Sequence, residues 1–226
     1  MEEGSVNRGS LRLAALSGVG FFTIGMIGRL SYPRDLALTA QPAAVEAFYA
    51  DHHARILASD MLYLLSAGLL MVFAGSLYAV LRHSGGDDGL ATMVFGAMVA
   101  GAALMLAAAA IDMAGGVRGH GQGTVVPQAA SVLWSANHEL VALAAPIPFA
   151  VAVLGCALAA FRDRALPVWL GAASVVLGVA LAIPPLGSIS IVVFGFWAFT
   201  TSLVLVIRES AGAPTAPERA PAAARG

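Results

Sequence analysis

Charged residues and cysteine are scarce in this chain. Of its 226 residues only 11% are charged, there is no lysine, and Cys156 is the single cysteine. A soluble domain carries about 25% charged residues, so the charges here are too few to cover the surface of a water-exposed globule. A single cysteine excludes a disulfide-stabilised scaffold. The formal net charge of −1 provides no basic surface, so we expect no nucleic-acid partner.

Apolar residues make up 59% of the chain and gather in six long runs. A helix needs about 20 apolar residues to cross about 30 Å of hydrocarbon. No run alternates apolar and polar residues as the strands of a membrane barrel would. The sequence therefore predicts an all-α, polytopic membrane protein, a bundle of six transmembrane helices with the lipid bilayer as its partner. The predicted spans are residues 13–28, 61–81, 90–111, 140–161, 166–183 and 186–207.

Arginine placement predicts the orientation of the bundle. With the N-terminus in the cytoplasm, eight of the 12 arginines fall on the cytoplasmic side, which favours cytoplasmic termini. Residues 1–10 form a predicted cytoplasmic tail, residues 11–208 the transmembrane domain, and residues 209–226, rich in Ala and Pro, a disordered cytoplasmic tail. The use of arginine alone together with much alanine suggests a GC-rich bacterial genome.

A short amphipathic helix is predicted before the second span. Pro42 suits a helix start, because the missing N–H has no partner in the first turn. Over residues 43–55 the side chains of Val45, Phe48 and Tyr49 share one side of a helix. We expect this outer helix to lie on the membrane surface or to cap the bundle.

Two short segments carry a resemblance to a known group of proteins. Residues 166–171 read LPVWLG at the start of the fifth span, and residues 48–52 read FYADH on the predicted outer helix. With six spans in this order, the chain resembles a broad group of uncharacterised bacterial integral membrane proteins classed as a domain of unknown function. The resemblance implies a helical bundle in the cell membrane and implies no activity.

Ionisable side chains are missing from the centres of the spans, and most histidines and several acids lie at the outer ends. Asp60, Asp112 and Glu139 each border an apolar run at the same end, so we expect them at one depth near the outer interface. Each acid could instead simply mark the end of the hydrocarbon. The absence of charge at mid-membrane argues against a proton-coupled pump.

Helical spacing places further polar residues beside these acids. His53, Asp60 and Tyr63 follow one face of a continuous helix, and Trp134 lies one turn before His138. If these faces meet, they form one outer-facing polar pocket. Asp60, Glu139 and His138 are its candidate catalytic residues, and the candidate ligand-binding residues are His53, Tyr63, Asp112 and Trp134.

Metal binding is not predicted for this pocket. His138 and Glu139 are adjacent and diverge by about 100° on a helix, whereas His53 and Asp60 lie about 10 Å apart along it. Neither pair has the three- or four-residue spacing of helical zinc ligands. We therefore expect no metal and no cofactor.

Three functions remain open from the sequence. The first is an accessory membrane protein whose pocket binds a lipidic or small apolar ligand. The second is a membrane-embedded enzyme that uses carboxylate acid–base chemistry on an isoprenoid or lipid substrate, since a carboxyl group beside apolar walls donates a proton readily. The third is a small uncoupled transporter component.

Overall fold

The computed structural model describes residues 8–33, 36–37, 39–84, 88–119, 126–183 and 189–211, and these form helices and short connections without a strand. The predicted all-α class is therefore confirmed. The elements are α1 (Arg8–Ser31), α2 (Pro42–His83), α3 (Asp88–Gly119), α4 (Pro127–Glu139), a π-helical turn (Leu140–Ala144), α5 (Pro146–Arg162), α6 (Val168–Leu181) and α7 (Ile189–Ala211).

Four helical segments are long and apolar enough to cross a membrane. They are Pro42–His83, Asp88–Val117, Pro127–Arg162 and Ile189–Arg208. Two shorter apolar helices, Leu16–Ser31 and Val168–Leu181, accompany them. This set of helices fits a multi-pass membrane protein.

The predicted outer helix is not a separate element. It forms the first turns of α2, which runs without a break for 42 residues, or about 63 Å at 1.5 Å per residue. The sequence has no glycine or proline between Pro42 and Gly68, so nothing interrupts the helix where a boundary was expected. The predicted separation of cap helix and span is therefore wrong.

Helix ends also differ from the predicted boundaries. The first helical residue is Arg8 and α7 ends at Ala211, so helices extend into both predicted tails. The remainder of the tails, residues 1–7 and 212–226, lies outside the described residues. The same is true of residues 186–188, the start of the sixth predicted span. Helix α6 is shorter than the fifth predicted span, because Pro167 precedes its first turn as the N-cap residue.

The helices pack around two apolar cores. Helix α2 lies between α1 and α3, α3 also contacts α5, α5 contacts α6, and α7 packs mainly on α1. The main core joins all of the longer helices and includes Leu70, Phe73, Met98, Phe149 and Phe194. A second core, here called the cap cluster, joins the first turns of α2 to α4 through Val45, Phe48, Tyr49, Ile56, Ala130 and Trp134.

A π-helical turn joins α4 to α5 at the junction of the two cores. Pro146 lacks the N–H that would continue the α-helical ladder, and the amide of Ala145 instead donates to the carbonyl of Leu140, five residues earlier. Such turns widen a helix locally and are frequent at functional sites. The α4–α5 path is therefore nearly continuous but wider beside the polar residues described below.

Close packing at Gly101 yields a prediction with a matched control on the same helix. A Cβ atom at Gly101 would collide with the ring of Phe149, whereas one at Gly96 would meet nothing within 4 Å. We expect Gly101→Ala to destabilise the protein by about 1–3 kcal/mol through overpacking. Gly96→Ala should be neutral or slightly stabilising, because alanine favours the helix. Thermal unfolding in detergent measures both; equal effects would contradict this packing.

Candidate functional site

A cavity of about 140 Å³ lies between α1, α2, α3, α7 and the α4–π-turn segment, next to the cap cluster. Its end nearest the cap cluster is polar and includes Tyr32, Asp60, Asp112 and His138. On α1, α3 and the α4–π-turn segment the lining residues farther from the cap cluster have no polar side chains; among them are Phe21, Met26, Met105 and Val141. On α2 the lining residue farthest from the cap cluster is Ser66, whose hydroxyl donates to the carbonyl of Phe21. The cavity is therefore amphipathic along the direction of the helices.

Two tyrosine hydroxyls from different segments hold the carboxylate of Asp112. Tyr49 donates to Oδ1 at 2.6 Å and Tyr32 donates to Oδ2 at 2.7 Å. Distances this short are typical of charge-assisted hydrogen bonds. Asp112 is only 1% exposed, and its bonds tie the end of α1 and the first turns of α2 to α3. Burial, and then the charge of Asp112, raise the pKa of Tyr32, so its hydroxyl keeps the proton that it donates.

Asp60 lies in the same cavity without a comparable partner. Asp60 is 2% exposed, and its Oδ2 has no hydrogen-bond partner among the described residues. The neighbouring hydroxyls bind elsewhere: Ser59 donates to the carbonyl of Gly28 at 2.9 Å, and Ser66 donates to the carbonyl of Phe21 at 2.8 Å. A buried carboxyl oxygen left unpaired costs free energy, so Asp60 marks a place where a polar ligand group would be stabilised.

His138 is positioned by the aromatic cap cluster. Its ring lies 4.1 Å from that of Trp134, centroid to centroid, and its Nδ1 donates to the Trp134 carbonyl at 3.0 Å. In a neutral imidazole this bond leaves Nε2 as an acceptor. Trp134 itself is buried in the cap cluster against Phe48 and is not a lining residue of the cavity.

The structure brings together part of the predicted residue set. Asp60, Tyr63, Asp112 and His138 line the cavity. Glu139 is exposed and lies outside it, because Asn137, His138 and Val141 form the lining side of this segment and Glu139 points about 100° beyond His138. His53 lies nearer the start of α2, where its Nδ1 is 3.1 Å from the Ala50 carbonyl, and it does not line the cavity.

The two tyrosines that bind Asp112 were not among the predicted site residues. Tyr32 and Tyr49 lie 80 and 63 residues from Asp112 in the sequence, and no helical spacing joins positions on separate helices. Asn137, which also lines the cavity, was missed as well. Its position immediately before His138 was the only signal in the sequence.

Within the described part of the chain, no group of three or more His, Cys, Asp or Glu residues could hold a metal ion. The site is thus a pair of buried acids at the polar end of an apolar cavity. Comparison with protein-family models, with curated proteins and with solved structures finds no match to the chain.

The tyrosine bonds to Asp112 lead to a stability prediction. Tyr49→Phe removes a short hydrogen bond to a buried carboxylate, which should cost about 1–3 kcal/mol. Tyr78→Phe is the control, since the Tyr78 hydroxyl only accepts a 3.4 Å bond from the exposed Arg82. In a double-mutant cycle with Asp112→Asn, the coupling free energy should be about 0.5–3 kcal/mol. Additive effects on thermal unfolding would contradict the bond.

Proposed function

We propose that the chain is an integral membrane protein whose six apolar helical segments all cross the bilayer of a bacterial cell, with both termini in the cytoplasm. Large apolar side chains on the outer faces of the helices support this proposal, among them Leu65, Val176, Phe196 and Ile207, because water would disfavour so much exposed apolar surface. Helix α6 has 14 residues, about 21 Å, and spans by local thinning of the bilayer.

The cavity binds a lipidic or small apolar ligand, and the protein acts as an accessory rather than a catalyst. The observation that carries this function is the amphipathic cavity itself, with a wall of apolar side chains and a polar end of buried acids. Its volume of about 140 Å³ is close to that of an engineered apolar cavity of about 150 Å³ that binds benzene. A ring or a short chain therefore fits. A longer ligand chain would extend out of the cavity beside Val192, a lining residue that is 36% exposed.

A membrane enzyme is the second candidate, and the unpaired oxygen of Asp60 beside apolar walls favours it. In its protonated form Asp60 would give its proton to an epoxide oxygen as a C–O bond opens, and the attacking water would return a proton. Glu139, being exposed, has no part in this scheme. Conversion of styrene oxide to its diol by the wild type but not by Asp60→Asn supports this candidate. If neither the wild type nor the variant converts styrene oxide, the enzyme candidate is rejected.

The proposed orientation predicts which end of the bundle is outside the cell. Ser84, between α2 and α3, and Val126, just before α4, are both exposed and lie at opposite ends. On intact cells a membrane-impermeant maleimide should label Val126→Cys but not Ser84→Cys, and permeabilised cells should show both. The wild type is the control, because its Cys156 is buried. The reverse labelling pattern would reverse the orientation, and labelling of both would contradict membrane spanning.

Filling the cavity should abolish ligand binding. Benzyl alcohol should raise the thermal unfolding midpoint of the wild type in a saturable way, since a ligand that binds only the folded state stabilises it. Ala109→Phe places a ring in the cavity wall and should remove this shift, whereas Ala110→Phe, on the exposed side of α3, should keep it.

A second filling variant guards against misfolding of the first. Ala142→Phe acts from the π-helical turn and should give the same loss of the shift. Absence of any saturable shift in the wild type, or its persistence in both filled variants, would count against ligand binding in this cavity.

A further inference from the structure

We infer that the polar end of the cavity binds the protonated head of an amphipathic amine, with Asp60 as its counter-ion. This inference rests on the proposed ligand-binding function and adds the chemical class of the ligand. It starts from the difference in hydrogen bonding between the two buried acids, Asp60 and Asp112.

The two acids differ in their hydrogen bonds: Asp112 is bound within the protein, whereas Asp60 has an oxygen that a ligand could bind. Both carboxylate oxygens of Asp112 already accept a short hydrogen bond from a tyrosine. Asp60 is 2% exposed, lines the cavity, and has an oxygen with no partner in the described structure. Since buried polar atoms are nearly always paired, an acceptor left open in a cavity wall is a place where a ligand donor would be stabilised.

The charges around the cavity favour a cation as that donor. Among the described lining residues the ionisable side chains are Arg29, Tyr32, Asp60, Tyr63, Asp112 and His138. When both carboxyl groups and the guanidinium are ionised and histidine is neutral, these side chains carry one net negative charge. An unbalanced charge away from water is costly, and a single positive charge on the ligand removes the imbalance. A fatty acid would increase the imbalance instead.

The available acceptors fit an ammonium group better than a hydroxyl. A primary ammonium carries three donors, whereas a hydroxyl carries one. Besides Asp60, the lining includes Asn137, whose amide oxygen is an acceptor, and His138, whose Nε2 remains an acceptor when Nδ1 donates to Trp134. Most of the other lining side chains, such as Phe22, Met105 and Val141, are apolar and suit a ring or the first carbons of a chain.

The test compares three probes of one size with different heads, added to the full chain in detergent at neutral pH. Benzylamine is cationic, benzyl alcohol neutral and benzoate anionic. The wild type should bind benzylamine about tenfold to a hundredfold more tightly than benzyl alcohol, the range expected for a hydrogen bond between charged groups. Benzoate should bind most weakly. Isothermal calorimetry measures all three.

Two variants test whether Asp60 causes the preference for benzylamine. Asp60→Asn keeps the shape of the side chain and should reduce the preference for benzylamine over benzyl alcohol to about one. Asp51→Asn removes an exposed acid from the same helix and should change nothing. If Asp60→Asn fails to fold, the wild-type comparison still decides between the heads.

The outcomes separate this inference from the function on which it rests. Binding of benzyl alcohol as tight as that of benzylamine, or a preference for the amine that persists in Asp60→Asn, overturns the amine site and leaves ligand binding intact. Failure of all three probes to bind the wild type overturns the proposed function itself.

Discussion

The bond network of Asp112 is the constraint on which the polar end of this structure depends. A buried carboxylate is tolerated only where its oxygens are paired, and here Tyr32 and Tyr49 pair both of them. Because the donors come from the end of α1 and the first turns of α2, the bonds fix three segments at the border of the main core and the cap cluster. The ring of Tyr49 also packs against Gly115, where a Cβ atom would lie 2.6 Å from it.

Close approach of the helices keeps the walls of the cavity in place. Phe149 stacks on Phe194 with ring centroids 4.0 Å apart, and Phe194 also meets Phe21 of α1. A hydrogen bond of 2.8 Å from Trp197 to Ser174 joins α7 to α6. Apolar side chains gain little by leaving lipid for another apolar surface, so helices in a bilayer associate through tight packing and polar contacts of this kind.

The cavity combines these two features. Its apolar walls belong to the packed bundle, and its polar end lies where the network of Asp112 meets the π-helical turn. The turn supplies Val141 and Ala142 to the wall, and α4 supplies His138 one turn earlier. Among the acids of the described structure, only Asp60 has a buried carboxyl oxygen without a hydrogen-bond partner, and this residue lines the cavity. The proposed binding of a ligand and the proposed preference for an amine both rest on this difference between the two acids.

The sequence by itself determined the all-α class, the apolar helices and the gathering of Asp60 and Asp112 near one end, because these depend on composition and on the spacing of charges along one chain. Only the tertiary structure decided that Tyr32 and Tyr49 bind Asp112, that Glu139 faces outward, and that α2 continues through the predicted cap. Helical periodicity relates residues three or four apart on one helix. It carries no information about how each helix is rotated towards its neighbours, and that rotation, set by side-chain packing, selects which acid is paired and which is left open.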